Sequence, residues 1–73
     1  MNWLEADIMK VRELSHKQDC TIFWFEGGGG EVHKIWDMYF LFEIPQYGGE
    51  GRFEGAYDET QIEELVRKAH TWT

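Results

Sequence analysis

The chain has one cysteine and one proline among its 73 residues, and it is short of positive charge. A single cysteine cannot form an internal disulfide and supplies too few thiols for a zinc ribbon. A free thiol without an N-terminal basic-plus-apolar export segment leads us to expect a reducing, cytoplasmic setting. No apolar run approaches the ~20 residues that span a bilayer, so membrane insertion is not expected. Seven Lys and Arg stand against fourteen Asp and Glu, for a net charge of −7. Nucleic-acid binding draws much of its affinity from basic side chains that neutralise phosphates. A surface of this sign repels a phosphate backbone and anionic lipid, so neither direct nucleic acid nor membrane is an expected partner.

Aromatic residues are what the chain has in quantity: four Trp, three Tyr and five Phe. A chain this short buries only about 60% of the surface its unfolded form exposes. Each buried aromatic removes roughly 150–250 Å² from water and so offsets the small size. Residues 1–73 are expected to form a single domain.

Asn2 with Glu5 three residues on reads as a helix start, and Leu4, Ile8, Val11, Leu14 and Ser15 keep helical spacing; this predicts a helix over Trp3–His16. Cys20–Phe25 is dense in β-branched and aromatic residues and predicts a first strand. Gly27–Gly30 predicts a hairpin tip, and Glu31–Trp36 a second strand with Val32, Lys34 and Trp36 on one side. A turn at Asp37–Met38 leads to a third strand, Tyr39–Ile44, ended by Pro45. After the loop Gln46–Gly51, a fourth strand Arg52–Tyr57 is expected to place Phe53, Gly55 and Tyr57 on one side. Asp58 caps a last helix with Gln61 as reciprocal partner, and Ile62, Leu65, Val66, Ala69 and Trp72 form its apolar stripe. The expected fold is α+β in the order α-β-β-β-β-α, an antiparallel meander with both helices packed on one face.

That order invites comparison with the double-stranded-RNA-binding domain, whose last helix needs basic residues where it meets phosphate. Here the corresponding helix opens Asp58-Glu59-Thr60-Gln61-Ile62-Glu63-Glu64, and the sign of the charge excludes that role. The four glycines are flanked by glutamates and followed by a strand, so they read as a turn and not as a phosphate cradle. His16 with Cys20 and His33 with Asp37 are the conceivable metal pairs, but neither offers three or four converging ligands. Cys20 with either histidine could be drawn as a nucleophile and its base, yet a lone cysteine opening an apolar strand reads as a small core residue. No catalytic residue, metal ligand or cofactor is therefore assigned, and no enzymatic activity is expected.

The acids are unevenly placed. From Glu43 to Glu64 there are seven acids and a single base, Arg52. This predicts a non-catalytic module that binds a protein partner with a basic surface, with Glu43, Tyr47, Glu50, Glu54, Asp58, Glu59 and Glu63 as its contact residues and Tyr47 as aromatic anchor. In size and charge alone the chain resembles the small phage-encoded inhibitors that imitate the charge of DNA. The alternative is a structural or homo-oligomerising accessory protein. Its second sheet face would carry several of Ile22, Phe23, Trp24, Phe25, Trp36, Tyr39, Leu41 and Tyr47.

Overall fold

The computed structural model describes residues 2–16, 30–44 and 51–72. It is an α+β arrangement of two helices and a three-stranded antiparallel sheet. Helix α1, Trp3–Arg12, opens where the Asn2 side chain accepts the Glu5 amide at 2.9 Å, and runs into a 3-10 turn, Glu13–His16. Strands β1 (Gly30–Ile35), β2 (Met38–Glu43) and β3 (Arg52–Tyr57) follow in sheet order β1-β2-β3. A 3-10 turn, Glu59–Gln61, leads into α2, Ile62–Ala69, and the described chain closes in a 3-10 turn, His70–Trp72. The expected strand Cys20–Phe25, most of the glycine tip and the loop carrying Pro45, Tyr47 and Glu50 lie outside the described residues.

Helix α2 forms as its spacing predicts. Asp58 accepts from the Thr60 amide at 2.9 Å while its own amide donates to the Gln61 side chain at 3.0 Å, so two amides without helical partners are satisfied. Ile62, Leu65, Val66 and Ala69 are buried, and Glu63 meets Arg67 at 3.1 Å on the exposed side. These four join Val11 and Leu14 from the first helical segment and Val32, Tyr39 and Leu41 from the sheet in one hydrophobic cluster, with Leu4, Ile8 and Tyr57 packed against it.

The sheet departs from expectation in three places. The β1–β2 turn is Trp36–Asp37, because Ile35 pairs with Met38; Trp36 is thus a turn residue at φ 54 and does not share the strand face of Val32 and Lys34. Tyr39 and Leu41 lie in the core, so the opposite face of β2 presents Phe40 and Phe42. The third difference is a β-bulge. Leu41 pairs with Gly55 but Phe42 pairs with Phe53, so Glu54 is the extra residue in β3. One inserted residue reverses the alternation beyond it. Phe53 therefore sits beside Phe42 on the outer face, and Gly55 and Tyr57 keep to the inner one. Among the described residues, no helix is long and apolar enough to cross a membrane.

Candidate functional site

Lys34 alternates with Val32 on the inner face of β1, and this carries a cationic side chain into a largely apolar neighbourhood. It is only 5% exposed. Its ammonium donates to the Trp36 carbonyl and lies 5.5 Å from the centre of the Tyr39 ring, close enough for cation–π attraction. Beside it opens a cleft of about 390 Å³ lined by Lys34, Asp37, Asp58, Glu59 and Thr60. The β1–β2 turn supplies Asp37, and the capped start of the α2 segment supplies the other three.

Tyr39 joins the two sides. Its hydroxyl donates to Glu59 Oε2 at 2.6 Å across 20 positions of sequence. Burial raises the Tyr39 phenol well above the ordinary tyrosine range, and the hydrogen bond and negative charge of Glu59 push the same way against the opposing Arg12. Tyr57, across the β2–β3 ladder from Tyr39, is also raised, by burial first and then by Glu64 and Glu54. Asp58 Oδ1 accepts both the Thr60 amide and, at 2.6 Å, the Thr60 hydroxyl.

The predicted contact residues do not form one surface. Glu43 and Glu54 sit at the Arg52 end of β3, where Arg52 bonds Glu43 at 2.6 Å and Glu54 at 3.1 Å. Asp58 and Glu59 sit beyond its other end; at about 3.3 Å per residue, Asp58 lies roughly 20 Å along the strand from Arg52 and its partner Glu43, and roughly 13 Å from Glu54. Glu63 is paired with Arg67 on α2. Tyr47 and Glu50 lie outside the described residues. Of the described candidates, only Asp58 and Glu59 share the cleft, and neither has a described cation within 4 Å. Asp37 and Lys34 complete the site and were absent from the predicted set. The signal for Lys34 was its strand alternation with Val32. Asp37 had only its position at the hairpin turn.

A second pairing lies at the chain ends. His70 Nε2 is 2.5 Å from Asp7 Oδ2, with Lys10 3.6 Å from the other carboxylate oxygen and the Trp3 ring 4.0 Å from the imidazole. His33, one of the conceivable metal residues, instead meets Glu31 at 3.0 Å. Among the described residues there is no group of three or more side chains placed to hold a metal ion, and Cys20 is not among them.

The cleft can accept a cation. Three carboxylates line it, their described hydrogen-bond donors are neutral, and the buried Lys34 ammonium beside them donates to a backbone carbonyl. No protein-family model matches the chain, and no curated protein or solved structure matches it either.

Proposed function

We propose that this protein is a small acidic, non-catalytic binding module, and that the Asp37–Asp58–Glu59 cleft receives a basic side chain from a partner protein. One observation carries the reading. Glu43, Glu54 and Glu63 spend their charge on Arg52 and Arg67, whereas the three cleft carboxylates have no described cation within 4 Å. Complementary charge of this kind chiefly speeds encounter and sets specificity, and it weakens with salt. Inhibition of a nucleic-acid-binding protein by charge mimicry is the specific form we favour, within the cytoplasm.

The same reading includes the full α-β-β-β-β-α order, with Cys20–Phe25 as a fourth strand and both helices on one sheet face. The one-face placement of the helices is supported by the core cluster, which draws on both helical segments and on Val32, Tyr39 and Leu41. The fourth strand rests on the β-branched and aromatic run Cys20–Phe25 in the sequence.

An amide series tests the site. Asp37→Asn, Asp58→Asn and Glu59→Gln together remove charge while keeping size and hydrogen-bonding oxygens. A control variant neutralises the exposed Glu5, Glu13 and Glu64 and so has the same net charge. Against a peptide of alternating lysine and serine, the cleft variant is expected to lose at least tenfold in affinity and the control far less. Equal losses would mean that bulk charge alone is read, and that the cleft is no site.

A second reading has its own observation. The outer sheet face exposes Phe53 at 55% and Ile35 at 46%, which favours an accessory protein that buries this face against a second copy.

A further inference from the structure

Trp36 holds a backbone conformation that a bulky side chain rarely adopts. It occupies the first position of a two-residue hairpin turn at φ 54, where glycine is the usual occupant. Its side chain gains nothing from burial, because the residue is 79% exposed. The turn is nevertheless pinned, since buried Lys34 donates to the Trp36 carbonyl. The chain thus holds a tryptophan in water on a strained and fixed support. Strain kept at an exposed position points to function.

Trp36 directly follows the end of β1, whose outer face belongs to an aromatic band. Ile35 precedes it on the outer face of β1, and His33 meets the Phe42 ring at 5.1 Å. Phe42 meets Phe53 at 5.6 Å, and Phe53 meets Phe40 at 6.3 Å. The bulge at Glu54 is what turns Phe53 outward to complete this band. Strand alternation places no described lysine or arginine on the face. Around it stand Glu31, paired with His33, then Arg52 and Glu54, which flank Phe53 and pair with each other, and Asp37, next to Trp36 and lining the acidic cleft.

We propose that Trp36 and the Phe40–Phe42–Phe53 face form the contact surface for a cationic protein partner, one that alternates basic and apolar side chains, with the neighbouring cleft taking one of its charges. This rests on the acidic-cleft reading and adds the anchor. The charge decides the occupant. A second copy would bring another −7 against the first and offers no described lysine or arginine from the outward-facing strand positions, whereas a basic strand or helix complements both the band and the cleft. Tryptophan is among the residues most enriched at the energetic centres of interfaces.

The test uses two synthetic peptides of equal length and charge, alternating lysine–leucine and alternating lysine–serine, with binding followed by fluorescence anisotropy. The parent protein is expected to bind the lysine–leucine peptide at least tenfold more tightly. Trp36→Gly removes the side chain and also the φ strain, so it should melt at or above the parent temperature, bind lysine–serine within twofold of the parent, and lose most of the leucine preference. Phe53→Ser should lose it as well. Survival of the preference in both variants overturns the proposal, as does a parent that sediments as a dimer dissociated by Trp36→Gly. If the cleft amide variant still binds the lysine–serine peptide normally, the acidic reading fails instead. If the parent binds neither peptide, both fail.

Discussion

His70 and Asp7, 63 positions apart, meet at 2.5 Å and tie α1 to the turn that follows α2. Asp7 is 5% exposed, and Lys10 approaches it from one side only. The Trp3 ring covers the imidazole. Removing one member of a buried pair leaves the other without its partner, which costs more than the pair itself contributes. His70→Ala is expected to cost about 2–3 kcal/mol in urea unfolding. A double-mutant cycle with Asp7→Asn should return a coupling of roughly 1–3 kcal/mol. Additive losses would show that the two side chains contribute independently.

The inner face of α2 sets a second expectation. Leu65 is fully buried among Val66, Ile62 and the sheet residues of the core. Leu65→Ala should therefore destabilise by about 2–5 kcal/mol, whereas Glu64→Ala on the exposed side should stay within about 0.5 kcal/mol. Thermal melts of the two variants side by side make the comparison. Similar melting temperatures would contradict the assigned faces.

Much of this fold was legible in the sequence, and the places where it was not share a physical cause. The α2 stripe and its Asp58–Gln61 cap could be read because period and capping chemistry agree there. β2 could be read as a strand, but both of its faces are apolar, so alternation alone could not say whether Tyr39 and Leu41 or Phe40 and Phe42 turn inward. The Glu54 bulge has no mark in its residue types; glycine is adjacent, yet the extra residue is a glutamate. Trp36 misplaced the turn by one position because it stands where glycine is expected. Of the residues lining the proposed site, Asp58 and Glu59 belong to the set that charge density picked out in the sequence. The splitting of the acids between the two ends of β3 is a consequence of register and appears only once β2 and β3 are paired.

Alkaline titration should report Tyr39. Its folded-state ionisation lies above the unfolded value near 10, so its contribution is fully present below that pH. Above it the unfolded chain ionises first and binds fewer protons than the native state. Stability then falls as pH rises, by up to about 1.4 kcal/mol per pH unit for a fully retained proton. Tyr39→Phe is expected to lose about 1 kcal/mol at neutral pH with the Glu59 hydrogen bond, and to flatten the alkaline decline. An unchanged slope between pH 10 and 11.5 in urea unfolding would mean that Tyr39 is not the group responsible.

Two glycines separate tolerance from strain. A Cβ at Gly55 would stand 3.2 Å from the Tyr57 ring, and one at Gly51 would stand 2.9 Å from the terminal Cδ1 of Ile44. The aromatic ring packs against the core and has little room to give, whereas the end of an isoleucine side chain can rotate away. Gly55→Ala should cost about 1–2 kcal/mol and Gly51→Ala well under about 1 kcal/mol. The reverse order by chemical denaturation would place the crowding elsewhere.

The most direct measurement is a map of backbone amide chemical shifts as the lysine–leucine peptide is added. The account predicts changes concentrated at 31–37, at Phe40, Phe42 and Phe53, and at Asp58, Glu59 and Thr60, all weakening together as salt approaches 0.5 M, where the screening length is ~4–5 Å. Changes centred on the exposed side of α2, around Glu63, Glu64, Arg67 and Lys68, or spread evenly over the surface, would contradict it.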